Sequence, residues 1–130
     1  MHGQQSLWKG LISLTITGLL LGSSTSHAAG DPKLGADMFA QECSECHSVK
    51  EGKNKKGPSV FAVVGRKSGS IADFVYSDAM KQSAIVWSPD KIDAYIAHPK
   101  QLVPSNKMKY DGLDDERDRA NVISYLNTLR

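Results

Sequence analysis

Two cysteines separated by two residues, with a histidine directly after the second, form the stretch "CSECH" at residues 43–47. Thiols at this spacing can act as a redox pair, supply half of a metal clamp, or carry a covalently attached group. The sequence holds no cysteine besides these two, and that narrows each reading. A bridge between Cys43 and Cys46 closes so short a loop that it removes little entropy from the unfolded chain, so a structural disulfide is a weak explanation. Thiol oxidoreductases use Cys-x-x-Cys, but at a strand-to-helix junction. The surroundings here, "DPKLGADMFAQECSECHSVK", read as a helix running into a loop. A structural zinc site needs four protein ligands, ordinarily from two such pairs.

Covalent haem attachment suits the motif best. The two thiols add to the two vinyl groups of the porphyrin, and His47 then lies under the iron as an axial ligand. A thiol redox pair stays open on these five residues alone. With a haem in place, the sixth ligand decides the chemistry: histidine or methionine makes an electron carrier, whereas an empty position makes a gas binder or a catalyst. His98, in "AYIAHPKQ", stands just before Pro99 and reads as a helix-end residue facing solvent or the last carbonyls. Met38 lies four residues after Leu34 and one before Phe39, which suits a core position, and Met80 in "YSDAMKQSA" is ambiguous. Met108 differs in kind, because "QLVPSNKMKYDGL" has no helical apolar pattern and is a loop by its Pro, Ser, Asn and Lys content. A methionine offered from such a loop, well after CxxCH, is what a second axial ligand would look like.

The elements that must position these residues follow from length and patterning. The chain has 130 residues, 40% of them hydrophobic, enough for one compact domain. Lys9 precedes the apolar run "GLISLTITGLLLG" and the small, polar "SSTSHAAG", the layout of a secretory signal peptide with small residues at Ser26 and Ala28. Its apolar core, Leu11 to Leu21, is 11 residues long, against the roughly 20 needed to cross a bilayer. Residues 1–28 are therefore expected to be cleaved, leaving 130 − 28 = 102 residues as one domain, 29–130. Losing Lys9 takes the net charge from +2 to +1, too small a surplus to attract nucleic acid generally. No stable membrane insertion is expected after cleavage, and the bacterial periplasm is the expected location.

Within the mature chain, Asp31 and Pro32 are an N-cap and a first-turn proline, opening a helix with Leu34, Met38 and Phe39 on one side. Ser88 and Pro89 repeat the device before Ile92, Tyr95 and Ile96, and Pro99 ends that helix. Asp114, Asp115 and Glu116 suit the positive end of a last helix, in which Val122, Tyr125, Leu126 and Leu129 recur at helical spacing. No alternating apolar run argues for a sheet. An all-α domain is expected, with a small core that a covalently held porphyrin completes.

These motifs in this order resemble the class I c-type cytochromes, most closely the group containing mitochondrial cytochrome c and bacterial cytochrome c2. The likeness runs from "GADMFAQECSECHSV" through "KGPSVFAVVGRKSG", "FVYSDAMKQSAIVW" and "YIAHPKQLVPSNKM" to "VISYLNTLR", nearly the whole mature chain. The resemblance implies several helices wrapped around one haem c held by Cys43 and Cys46, with the N- and C-terminal helices packed through Gly35, Phe39, Tyr125 and Leu126. It implies His47 as proximal ligand and Met108 as distal ligand. The Pro58 carbonyl would accept the proton on the other ring nitrogen of His47. Arg66, Tyr76 and Trp87 would hydrogen-bond the buried propionates, and the Tyr95 hydroxyl would approach the methionine sulfur. Two positions depart from the family: Met80 stands where asparagine is common, and Ala84 where glycine is common in the mitochondrial members.

The function this implies is a one-electron shuttle between redox partners of a respiratory or photosynthetic chain, with both axial positions filled. A small peroxidase, or a gas-binding or sensor module, would need Met108 to leave the iron. Lys50, Lys53, Lys55, Lys56, Lys100, Lys107 and Lys109 lie in loops flanking the ligand-bearing segments, while Asp111, Asp114, Asp115, Glu116 and Asp118 gather near the last helix. That separation suits docking on membrane or periplasmic redox proteins with acidic faces. A monomer is expected, because a shuttle must leave each partner quickly.

Overall fold

The computed structural model describes residues 29–130. The expected signal peptide, 1–28, lies outside the described residues. Five helices follow one another: α1 (Pro32–Glu42), α2 (Asp78–Gln82), α3 (Pro89–Ala97), α4 (Pro99–Leu102) and α5 (Glu116–Leu126). Among the described residues the β-structure is one isolated antiparallel bridge, Lys67 to Val86. The domain is all-α, as expected.

The caps decide where the long helices begin. The Asp31 carboxylate accepts from the backbone N–H of Lys33 at 2.7 Å and of Leu34 at 3.3 Å, with Pro32 in the first turn. Ser88 does the same for α3, accepting from Lys91 N–H at 3.3 Å, and Asp115 for α5, accepting from Asp118 N–H at 3.0 Å. The helix predicted after Pro89 stops at Ala97, and Pro99 opens the single turn α4 immediately afterwards. The short helices α2 and α4 carry too few residues for a helical apolar period to show in sequence.

α1 and α5 meet at backbone distance. A Cβ placed on Gly35 would lie 1.9 Å from the Asn121 carbonyl oxygen, and one on Gly30 would lie 2.0 Å from that of Ala120. Only glycine permits this approach. Asn121, buried on α5, accepts from the Asp31 backbone N–H at 2.8 Å, and the rings of Phe39 and Tyr125 lie 5.8 Å apart at 58°. The expected contact of Gly35 and Phe39 with the last helix is therefore present. Phe39, Val122 and Leu126 join Val63, Met80, Trp87, Ile92 and Val103 in the core. Leu34 departs from expectation: it is 53% exposed, because Gly35 and Phe39, not residue 34, face α5. Arg119 ties α5 to α3 through Asp93 at 2.8 Å and donates to the carbonyls of Leu113 and Asp114.

Ala84 adopts φ +53° directly after Ser83, the C-cap of α2. A left-handed residue just past a helix end is the position glycine ordinarily fills, and an L-residue with a Cβ is strained there. Ala84→Gly is expected to raise the unfolding free energy by about 1 kcal/mol, read as a higher denaturant midpoint at unchanged slope; an unchanged or lower midpoint would contradict this account of the turn.

Candidate functional site

The cysteine pair begins where α1 ends. Cys43 is the C-cap of α1, its N–H donating to the Phe39 carbonyl at 2.9 Å, and a tight turn returns His47 N–H to the Cys43 carbonyl at 2.9 Å. The turn projects both thiols from one short stretch, where Cys43 and Cys46 are half-buried and unbridged. Burial first, then the Glu42 charge, pushes the free Cys43 thiol up to about 11.

His47 is fixed from two sides. Its Nδ1 lies 2.8 Å from the Pro58 carbonyl oxygen, as expected. Donation from Nδ1–H to that carbonyl leaves Nε2 as the unprotonated nitrogen, the form a metal ligand requires. Burial lowers the His47 pKa despite this bond, which also favours the neutral ring. The acceptor is a backbone oxygen, so the contribution of Pro58 is the restrained geometry of the chain. Gly57 matters as much, because a Cβ there would lie 2.4 Å from Cε1 and 2.9 Å from Nε2 of His47. The Gly57 N–H donates to the Cys46 carbonyl at 2.8 Å, so this loop is clamped to the cysteine turn while its bare Cα faces the ring.

The antiparallel bridge sets Arg66 beside Trp87. Gly65 N–H donates to the Trp87 carbonyl at 2.8 Å and Trp87 N–H to the Arg66 carbonyl at 2.9 Å. The Arg66 guanidinium donates to the carbonyls of Phe61 (3.0 Å) and Ser59 (2.8 Å) and interacts electrostatically with Tyr76. Burial lowers the Arg66 pKa and raises that of Tyr76. Trp87 is buried, with its ring 5.0 Å from that of Tyr95. Tyr95 is half-buried, and desolvation pushes its hydroxyl up to about 12.

Met108 is half-buried and lines a surface pocket with Lys100, Asn106, Lys107, Lys109 and Asp111. Asn106 builds this loop. Its side-chain amide donates to the carbonyls of Pro99 (3.0 Å) and Val103 (2.7 Å), while its side-chain oxygen accepts from Met108 N–H at 2.8 Å. The loop closes at Gly112, whose φ is +128° and where a Cβ would lie 2.0 Å from the Ala97 carbonyl oxygen. The adjacent Leu113 N–H donates to the Ile96 carbonyl at 2.8 Å. Between these anchors, the Tyr110 hydroxyl donates to Glu42 Oε2 at 3.2 Å. Burial, then the Glu42 charge, holds that hydroxyl above its ordinary range, so it remains a donor.

Of the other candidates, His98 is exposed and caps α3 with its N–H on the Ala94 carbonyl. Met38 packs partly buried against the core, and Met80 is a core residue whose N–H is capped by Ser77. Sequence reading passed over Gly57, Asn106, Glu42 and Tyr110. An asparagine two residues before Met108 and a glycine directly before Pro58 were the visible signals for two of them.

The family 'Cytochrome c' matches residues 32–130. The chain is 48% identical over 98 residues to "Cytochrome c" of Theileria annulata, covering 75% of this chain and 84% of that one. It is 46% identical over 101 residues to "Cytochrome c2" of Rhodopila globiformis, covering 78% and 95%. It is 45% identical over 100 residues to "Cytochrome c-type cyt cy" of Rhodobacter capsulatus, covering 77% of this chain and 50% of that one. A helical domain closed by its terminal helices, with a CxxCH turn at the end of the first, thus defines a cytochrome-type protein, and the chain belongs to the cytochrome c family. It is an electron carrier whose cofactor is covalently attached haem c, and Cys43 and Cys46 supply the two thiols of the attachment motif. The residues present fit that group: both thiols are unbridged, the His47 ring is held through Nδ1, and Cys43, Val60, Val64 and Ile96 each pack partly buried against an apolar core.

The Gly57 geometry makes a direct prediction. In Gly57→Ala the new methyl displaces the His47 ring, and the ring cannot yield while Nδ1 stays on the Pro58 carbonyl. A stability loss of about 1–3 kcal/mol is expected for such overpacking, measured by denaturant unfolding of the haem-loaded protein; a wild-type midpoint would mean that the loop moves freely.

Proposed function

We propose that His47 and Met108 are the two axial ligands of the haem and that the chain is a one-electron shuttle with both iron positions filled. The observation that carries this reading is the preparation of each side chain. His47 is fixed by the Pro58 carbonyl past Gly57, and Met108 stands in a loop that Asn106 builds at 2.7–3.0 Å. Haem held in this way supplies a one-electron ferrous–ferric couple, and a methionine ligand sets a higher potential than a second histidine. The chain's own work is to hold the ligands still across both charge states. The bond from Nδ1 to Pro58 keeps the His47 tautomer and raises its donor strength. Burial of the surrounding core disfavours added positive charge and so acts with the thioether.

Arg66, Tyr76 and Trp87 are proposed to face the haem propionates. Arg66 is half-buried and its formal charge suits a carboxylate partner, and the bridge fixes its distance from Trp87. Tyr95, whose ring packs on that of Trp87, is proposed to bring its hydroxyl toward the Met108 sulfur. No role in turnover is assigned to any of these residues, and the enzyme and sensor readings would require Met108 to be displaced. The layout of residues 1–28 supports export to the periplasm with removal of the leader. Among the described residues no helix is long and apolar enough to cross a membrane.

Two measurements test this. The ferric protein is expected to show the weak near-red absorption of a methionine sulfur bonded to haem iron, lost in Met108→Ala; a high-spin ferric spectrum in the unmodified protein would move ligand binding or peroxide chemistry to the front. The lysines beside both ligand segments, Lys50, Lys53, Lys107 and Lys109 among them, are exposed and are proposed to meet acidic faces on a monomeric carrier's partners. The rate of reduction by an acidic redox protein is expected to fall as ionic strength rises from about 0.01 to 0.15 M, where the screening length shortens several-fold; a salt-independent rate would remove the electrostatic docking account.

A further inference from the structure

The loop that presents Met108 is tied to the fold at both ends by backbone-directed bonds. Asn106 secures its start on α4 and Val103, and Gly112–Leu113 secures its end on the last turn of α3. Both anchors are on the α3–α4 side. Residues 107–111 lie between them and include exposed Lys107, Lys109 and Asp111. Away from that side, the Tyr110 hydroxyl makes a solvent-exposed bond of 3.2 Å to Glu42, 68 positions away in sequence, and Lys107 interacts electrostatically with Asp78 of α2.

Glu42 is an unexpected residue where it stands. It is the last residue of α1, and no basic side chain lies in that helix's final turn. A carboxylate there faces the negative end of the helix dipole, an arrangement that local electrostatics disfavours. The locally unfavourable placement is offset here by a specific partner supplied from elsewhere in the fold. Glu42 also immediately precedes Cys43, so whatever it holds is held against the attachment turn.

We infer that Tyr110 and Glu42 form a latch across the site, in which Tyr110 is a positioning residue that keeps the Met108 loop closed on the cysteine turn. This rests on the reading of Met108 as an axial ligand. The latch acts on the equilibrium between a closed loop, with the methionine in place, and an open loop, in which an added ligand can take that place. An ordinary hydrogen bond shifts such an equilibrium by about fivefold, and the apparent affinity of a competing ligand follows the open fraction.

The test is imidazole binding to the ferric haem-loaded protein, followed by loss of the near-red band, with amide hydrogen exchange of residues 107–111 measured on the same samples. Tyr110→Phe and Glu42→Ala are each expected to tighten apparent imidazole binding by about fivefold and to speed exchange by a similar factor. The double variant is expected to match either single one, because both remove the same bond. Glu42→Gln keeps an acceptor oxygen and is expected to stay near wild type. Unchanged binding and exchange in Tyr110→Phe, or single effects that add in the double variant, overturns the latch. If the unsubstituted ferric protein lacks the near-red band, the ligand assignment of Met108 fails, and exchange alone then decides whether Tyr110 and Glu42 hold the loop.

Discussion

The backbone contact between α1 and α5 at Gly35 is the constraint on which the rest of the structure hangs. Residues 35 and 121 come together so closely that no side chain fits at position 35, and this fixes the two helices in one register. Phe39, one turn further along α1, is then set against Tyr125 and buried with Val122 and Leu126. The helix ends at Glu42, and the cysteine turn starts where that register leaves it. The end of the chain is drawn in as well, since the Leu129 carbonyl accepts from Ala62 N–H at 2.9 Å, next to the segment that carries Arg66. Close packing of this kind transmits position, because it has few soft alternatives.

A second regularity runs through the site. Its polar side chains are held chiefly by backbone carbonyls, most of them in irregular segments: His47 by Pro58, Arg66 by Phe61 and Ser59, Asn106 by Val103 and by Pro99 at the start of α4. Loops between helices carry carbonyls that no ladder satisfies, and these must find donors when buried. Here the donors are the side chains of the candidate site. One set of bonds therefore settles the loops and orients the residues, which explains how a chain with so little regular structure keeps its site in order. Ser59 shows the same economy, accepting from Phe61 N–H at 3.2 Å and donating to the Lys50 carbonyl at 2.7 Å.

What was legible in the sequence follows from these two features. Helices α1, α3 and α5 could be placed because Asp31–Pro32, Ser88–Pro89 and the acids before Glu116 are local signals, complete within a few residues. The CxxCH turn was legible for the same reason, whereas the Pro58 acceptor, 11 positions from His47, came only from the family resemblance. Leu34 was misread because apolar spacing alone assigns a face to any apolar residue, and the true face was set by a glycine that has no side chain to count. Glu42 and Tyr110 were invisible, since nothing local joins residues 68 positions apart. Asn106 and Gly57 fall between these cases: their types were suggestive, but their partners depended on how α4 and the cysteine turn came to rest.

The charges near Cys43–His47 and Met108 are best understood as a field. Lys56 pairs with Glu45 at 2.5 Å, and Lys100 approaches Asp111 at 3.7 Å, but all four side chains are largely exposed. Exposed pairs of this type are screened by solvent and add little to stability, so fold stability gives little reason for them. Their effect outward is different. Each pair is close to neutral when viewed from a Debye length away, so the positive character of this side is carried by the other lysines around Cys43–His47 and Met108. Toward the acidic partner faces proposed above, acids interleaved with lysines would moderate the attraction without abolishing its direction. Moderate attraction suits a carrier, because long-range steering speeds the encounter while few close charge pairs remain to slow departure.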